Sequence, residues 1–294
     1  MLETVARYTL YFFFYSALGW LVESCYCSVR PRKWVNRGFL TGPLCPIYGT
    51  GALVFMVLVE PIRHIPMPVT AAGHTVSVTG VAVFLTSLVF ADIVEFIVSF
   101  LMEKLFHARW WDYSNRFLNI QGRICFLHSM YWGTAGVVFL YLMHPFFDRF
   151  IGRLPVKFVY GILAVILVIF LVDVIDAVRK AMDVRKLMDK LKSFGIMLSS
   201  FFGNTIDDIV ALSMDEMASI SEKAASLRDD AAKQYEDIHQ SFEKLTNGIK
   251  KGGEKYKNRM FNEFPMMRQS AADQLENLEK RIEAVKEKFR QFKK

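Results

Sequence analysis

At 294 residues, 53% hydrophobic and with a mean hydropathy of +0.24, the chain carries more apolar surface than one soluble domain buries, and it gathers that surface into long runs. A formal charge of +7 and a pI near 9.1 would suit a nucleic-acid binder by amount alone. The basic residues instead fall into alternate loops between the apolar runs, which is how a membrane protein distributes them and which excludes nucleic acid as the partner.

The first run, Tyr8–Val29, has neither a basic leader nor a small-residue cleavage site, and it contains Glu23, so it is expected to remain as a span. Arg30, Arg32, Lys33 and Arg37 follow it. The second run, Leu44–Val59, opens on Gly42-Pro43-Leu-Cys-Pro46-Ile-Tyr-Gly49-Thr-Gly51, where prolines and glycines predict irregular backbone that must be buried in protein or line a cavity. Val76–Met102 is the third run, followed by Arg109, Arg116 and Arg123; Ile124–Met143 is the fourth. The fifth, Val156–Val174, includes Val159 through Val172, apolar all round, and lipid is the solvent that tolerates such a helix. Each run is near the ~20 residues that cross hydrocarbon. The predicted fold is therefore all-α: a polytopic bundle of about five membrane helices over residues 1–180 and a helical, coiled-coil-like tail over 181–294.

Lys and Arg in short loops set orientation. The loops after the first and third runs, and Arg179, Lys180, Arg185, Lys186, Lys190 and Lys192 after the fifth, are expected to be cytosolic, which places the N-terminus outside and the tail inside. Arg149, Arg153 and Lys157 run against this count, since their loop would be external.

Beyond Met182 the charges balance and apolar or small residues alternate at three and four. One seam is Val210, Ser213, Met217, Ile220, Ala224, Leu227 and Ala231, continuing through Ile238, Leu245 and Ile249; a second is Leu275, Leu278, Ile282, Val285, Phe289 and Phe292. Gly252-Gly253 and Pro265 separate them. The pattern fits a broken coiled coil with a helical partner, and equally a hairpin packed on itself or lying on the bilayer.

The first two helices lay over the next two in order. Trp20-Leu-Val-Glu23 falls on Asp92-Ile-Val-Glu95, Asn36-Arg37 on Asn115-Arg116, Gly42-Pro-Leu-Cys45 on Gly122-Arg-Ile-Cys125, and Tyr48-Gly49-Thr50-Gly51 on Tyr131-Trp132-Gly133-Thr134-Ala-Gly136. Such a parallel repeat has its axis along the membrane normal, and repeats of this kind build sites where they meet.

An acid inside a span costs on the order of 3 kcal/mol unless paired or hydrated, which marks Glu23 and Glu95, with Asp92 one turn from Glu95. Arg37 and Arg123, just before the returning helices, are the expected counter-charges, since a guanidinium grips a carboxylate through two parallel bonds. Glu–Arg pairs could equally serve only to fix the hairpins. In the loop Arg109-Trp110-Trp111-Asp112-Tyr113-Ser114-Asn115, the tryptophans read as interfacial anchors, while Asp112 and Asn119 could turn the chain or hold a polar ligand. His128 could relay protons or be a hydrogen-bonded structural residue. Cys25, Cys27, Cys45 and Cys125 lack a zinc-type pattern and read as small buried hydrophobes. No phosphate-cradling loop, nucleophile elbow or HExxH helix occurs, so no catalytic residue, metal or cofactor is expected.

The segment Gly19-Trp-Leu-Val-Glu23, Asn36-Arg-Gly-Phe-Leu-Thr-Gly-Pro43, Pro46-Ile-Tyr-Gly49 and Gly51, with Trp110-Trp-Asp-Tyr-Ser114 and Asn119-Ile-Gln-Gly-Arg-Ile-Cys125, resembles the bacterial family called putative ABC-transporter type IV permeases over about the first 180 residues. The resemblance implies a bacterial cytoplasmic-membrane protein and a separate ATPase subunit. It carries over Glu23, Asn36, Arg37, Gly38, Gly42, Pro43, Pro46, Tyr48, Glu95, Trp111, Asp112, Asn119, Gly122 and Arg123. The leading functional expectation is a transporter-like subunit with an intramembrane site of Glu23, Asn36, Arg37, Tyr48, Asp92, Glu95, Asp112, Asn119, Arg123 and His128, plausible as a homodimer in the lipid bilayer. The rival is a membrane-anchored scaffold or sensor that recruits a partner through its tail. A lipid-modifying enzyme using Asp112 or His128 is a third alternative without a supporting nucleophile–base spacing.

Overall fold

The computed structural model describes residues 1–29, 32, 34–71, 74–107, 109–201, 233–234, 236–244, 247, 276–284 and 287. Its helices are α1 (Leu2–Val29), α2 (Pro46–Val54), α3 (Glu60–Arg63), α4 (Thr79–Phe106), α5 (Phe126–Val138), α6 (His144–Ile151) and α7 (Val156–Phe201). Two short antiparallel ribbons, β1 (Pro68–Ala71) with β2 (His74–Ser77) and β3 (Asn119–Ile120) with β4 (Ile124–Cys125), were not expected from the apolar pattern, because ribbons this small depend on turn geometry. The chain divides into a unit of Met1–Ala181 and a unit of Met182–Lys294.

Among the described residues, four helical stretches are long and apolar enough to cross a bilayer: Pro46–Arg63, Thr79–Phe106, Phe126–Ile151 and Val156–Met197. All four run past the C-terminal ends expected for them, and the first three begin two or three residues later than expected. At 28 residues α1 has the length but lies outside this group, since its tyrosines, serines and Glu23 dilute its hydropathy. The need for lipid is plainest on α4. One stripe at i+4 spacing, Thr79, Val83, Ser87, Ala91, Glu95 and Ser99, is buried. Another stripe, Val81, Leu85, Val89, Ile93, Ile97, Leu101 and Leu105, is exposed. A helix that turns small and polar residues inward and aliphatic ones outward has the polarity of a membrane helix.

The two hairpins, α1 with α2 and α4 with α5, share one order of elements. In each, a long helix leads through irregular backbone to an extended cysteine, Cys45 or Cys125, that caps the next helix. That helix then widens into a five-residue π segment, Phe55–Val59 or Phe139–Met143. Glu60-Pro61 follows the first segment and His144-Pro145 the second. A proline has no N–H and its ring clashes with the carbonyl four residues back, so a register of five relieves the helix at these positions. The carbonyl of Leu140, inside the second π segment, accepts a 2.5 Å bond from Nη1 of Arg63 in the other hairpin, while Glu60 holds that guanidinium at 2.6 Å. This meets the requirement that backbone groups freed at membrane depth find a partner. Arg63→Gln should destabilise the full chain by about 2 kcal/mol, the scale of a charge-assisted bond lost from a partly buried site, as read by SDS-induced unfolding in mixed micelles.

The core between the hairpins joins Tyr11, Tyr15, Phe55, Val59, Val83, Phe139 and Leu140. A second cluster of Ala6, Leu10 and Phe13 with Val159 and Leu163 seats α7 on α1. Further along α7, Asp173 accepts the Thr41 N–H at 2.9 Å and the Gly42 N–H at 2.7 Å, tying the glycine–proline turn before α2 to this helix. A Cβ on Gly42 would lie 2.8 Å from the Asp173 carboxylate, which is why the turn takes glycine there.

In the tail, residues 236–244 and 276–284 are helical. Ile238, Leu278 and Ile282 are buried. The remaining seam positions, Val210, Ser213, Met217, Ile220, Ala224, Leu227, Ala231, Leu245, Ile249, Leu275, Val285, Phe289 and Phe292, lie outside the described residues, as do Gly252, Gly253, Pro265, Arg30 and Lys33.

Candidate functional site

Close packing brings the two acidic helices to a shared centre. A Cβ on Gly19 would overlap the Tyr48 ring, so the absence of a side chain there lets α2 lay Tyr48 across α1. Glycines of α5 act similarly against α4: a Cβ on Gly133 would meet the Phe84 ring at 2.7 Å, and one on Gly136 would overlap Ser87. Tyr48 and Trp132 then meet edge to face, with centroids 5.9 Å apart.

Each ring serves the carboxylate of its own hairpin. Trp132 donates its Nε1–H to Glu95 Oε2 at 3.0 Å, and the Tyr48 hydroxyl reaches Glu23. Glu95 is 5% exposed and takes a second bond from the Tyr113 hydroxyl at 3.2 Å. Burial, and then the nearby Glu95 charge, push the Tyr113 phenol well above its ordinary pKa, so this hydroxyl keeps its proton and donates. Asp92, one turn before Glu95, accepts from Ser129 at 2.6 Å.

The counter-charges differ between the hairpins. Arg37 faces Glu23 at 3.7 Å, as expected, and Cys45 Sγ lies 3.9 Å from the same carboxylate. Arg123 does not oppose Glu95. Its Nη2 pairs with Glu103 at 2.8 Å, its Nη1 donates to Ser99 at 3.3 Å, and its guanidinium lies over Phe96 and Phe100. The reason is position: Arg123 enters from the loop beside the last turns of α4, where Ser99 and Glu103 continue the Glu95 stripe toward the helix end. Arg109 shares Glu103 at 2.9 Å. Among the described residues, Glu95 therefore has two neutral donors and no cation.

Asp112 and Asn119 shape the loop. Asp112 accepts from the Ser114 N–H at 2.9 Å and pairs with Arg109 at 3.6 Å. Asn119 donates to the carbonyls of Ser114 and Arg116 and accepts the Gly122 N–H at 3.0 Å. Gly122 has a φ of +68°, and a Cβ there would overlap Asp112 and Ser114, so the turn requires glycine. Asn36 plays a comparable part in the first hairpin, accepting from Trp20 at 2.6 Å and donating to the Thr41 carbonyl at 3.0 Å. His128 stacks on Tyr113 at 4.2 Å and lies 3.1 Å from Cys125 Sγ, behind the ring that serves Glu95.

Two further expectations are corrected. Trp110 is an inward residue, 5% exposed and packed edge-on against Phe39 and Phe106, because the loop folds back over the bundle. Of the cysteines, Cys45 and Cys125 are buried but Cys25 is exposed. Sequence reasoning passed over Trp132, Tyr113 and Glu103 as site residues. Trp132 follows Tyr131, the residue laid against Tyr48, and Glu103 continues the i+4 stripe of Glu95 and Ser99.

A cavity of about 260 Å³ lies between the hairpins. Glu95, Tyr48 and Trp132 line it together with apolar side chains; Glu23 does not. Toward its other end the wall includes Tyr15, whose hydroxyl bonds His144 Nδ1 at 2.9 Å, and the neighbouring Tyr11 hydroxyl bonds Asp148.

Comparison with curated proteins and with solved structures finds no match. A family model described as "Putative ABC-transporter type IV" matches residues 10–178, a stretch that holds most of the first hairpin, the second hairpin, the residues lining the cavity and the first half of α7. With that match covering more than half of an all-α chain rich in membrane-capable helices, the protein is a membrane protein belonging to the family described as Putative ABC-transporter type IV.

Proposed function

We propose that the chain is the membrane subunit of a transporter in which Glu95, at the wall of the cavity between two duplicated hairpins, binds the transported solute or its coupling ion. The single observation that carries this is a buried carboxylate on a cavity wall, held by neutral donors and with no cation beside it among the described residues. An ionisable group kept in such a place against its desolvation cost has a functional use more often than a structural one. Glu23 with Arg37 forms the matched, charge-balanced half. Tyr48 and Trp132, packed edge to face, close the site between them. Asp92 extends it along α4, His128 braces Tyr113, and Asn36, Asp112, Asn119 and Arg123 hold the loops that position it.

In this reading α1 is a fifth span, the Cys45 and Cys125 end faces the cytosol of a bacterial cell, and residues 1–180 form the membrane domain. The tail over 181–294 contacts partners, through a coiled coil, and a separate ATPase subunit and a second copy of the chain complete the assembly. Basic loops at that end support the orientation, and the family match supports an ATPase subunit.

The test is uptake into proteoliposomes of a panel of inorganic cations, amines and amino acids, with the full chain and with Glu95→Gln. Uptake of at least one solute above empty vesicles, reduced about tenfold or more by Glu95→Gln, is the expected result. Equal uptake by empty and protein-containing vesicles across the panel, with ATP and an ATPase subunit present, removes the transport reading. Truncation after Met182 addresses the scaffold alternative: activity lost on truncation but kept in Glu95→Gln would move the function to the tail.

A further inference from the structure

Resting on that reading, the structure assigns the cavity to a particular solute class: we propose that it binds a small lipophilic organic monocation, its charge at Glu95 and its body among the apolar walls.

Three features converge on this class. The first is charge. Glu95 contributes a carboxylate to the wall, and its hydrogen-bond partners, Tyr113 and Trp132, are neutral donors that favour the negative form without cancelling it. The acid of the other hairpin is balanced by Arg37 and stays off the wall, so the cavity presents one carboxyl group with no cation beside it among the described residues.

The second is the lining. Leu18, Val22, Phe55, Phe139 and Met143 offer no oxygen ligands. A small inorganic cation demands about six oxygens at close range, and a wall of this kind cannot replace its hydration shell. Aromatic faces suit an organic cation better: Tyr48, Trp132 and Tyr15 border the same space, and a desolvated ammonium is attracted by the negative faces of such rings. The third is size. A volume of about 260 Å³ equals on the order of nine waters at liquid density, far more than a bare ion fills and enough for an amine with one ring or a short alkyl body.

The probe is benzyltrimethylammonium, whose charge is independent of pH, compared with its carbon isostere neopentylbenzene. Binding of each to the full-length chain in phosphatidylcholine nanodiscs is measured by saturation-transfer NMR, with empty nanodiscs subtracted. Wild type is expected to bind the cation at least tenfold more tightly than the hydrocarbon. Glu95→Gln should lower cation affinity about tenfold or more and leave neopentylbenzene unchanged. Gly51→Leu keeps the carboxylate and fills the space, since Gly51 lines the cavity and a Cβ there meets nothing within 4 Å; it should weaken both ligands.

Equal affinity of wild type for cation and hydrocarbon overturns the assignment even if Glu95→Gln fails to fold, and so does undiminished binding in Gly51→Leu. The outcomes also separate the two levels of inference. Uptake of an inorganic cation or protons through Glu95, with no binding of the ammonium, leaves the transport reading standing and removes the solute class. Tight, Glu95-dependent binding without uptake of any solute keeps the class and removes transport.

Discussion

Gly49→Ala is expected to destabilise the folded chain by about 3 kcal/mol, the upper end for an overpacked core, from the addition of one methyl group. The added carbon would overlap the Ser16 hydroxyl and the Phe12 backbone carbonyl, and it would lie 2.9 Å from the Phe12 ring. A side chain can rotate away, but the carbonyl belongs to α1 and moves only with the helix. Restoring space with Ser16→Gly should therefore recover only part of the loss. Gly136→Ala makes the matched comparison in the second hairpin: its nearest atoms are the Oγ and Cβ of Ser87, and Ser87→Gly should recover most of its cost. Gly51→Ala, with open space around the new carbon, should be close to neutral. SDS titration of the reconstituted chain reads all five variants, and equal loss in Gly49→Ala and Gly51→Ala would refute the packing account.

Glu103→Gln should cost more than Arg123→Met, about 4 against about 2 kcal/mol, because the two changes leave different things behind. Removing the glutamate takes the carboxylate partner from the Arg123 guanidinium, whose side chain is 8% exposed, and leaves Arg109 its weaker contacts with Asp112 at 3.6 Å and the Gln121 carbonyl at 3.3 Å. Removing Arg123 leaves Glu103 still paired with Arg109 at 2.9 Å. The pair Arg123→Met with Glu103→Gln should lose less than the sum of the single losses, since the Arg123 charge is then no longer left without its partner. Additive losses in the double-mutant cycle, measured by the same unfolding assay, would show that the two side chains act independently. Such a result would also reopen Arg123 as a partner for Glu95.

Both predictions depend on geometry that sequence alone expressed unevenly. Apolar runs located the long helices because hydrophobicity must persist over the full thickness of a bilayer, so composition carries that signal without knowledge of any neighbour. Gly42-Pro43 and Pro46 marked irregular backbone before α2 for an equally local reason, the missing N–H and fixed φ of proline. Glu23 and Glu95 stood out because an acid inside an apolar run is costly wherever it points.

Partner choice was not local. Whether Arg123 meets Glu95 or Glu103 depends on how far along α4 the loop re-enters, a matter of one or two helical turns that residue types leave undecided. The ribbon at β3 and β4 and the inward turn of Trp110 follow from the same loop path. By itself the sequence determined which segments are apolar enough for lipid, where proline and glycine interrupt them, and which side chains are too polar to face it. Only the tertiary structure decided that Tyr48 and Trp132 meet, that Arg37 balances one acid, and that the other stands at a cavity wall without a cation among the described residues. Those outcomes turn on the close approach of helices at Gly19, Gly49 and Gly136, and distances between segments far apart in the chain are set by packing rather than by residue type.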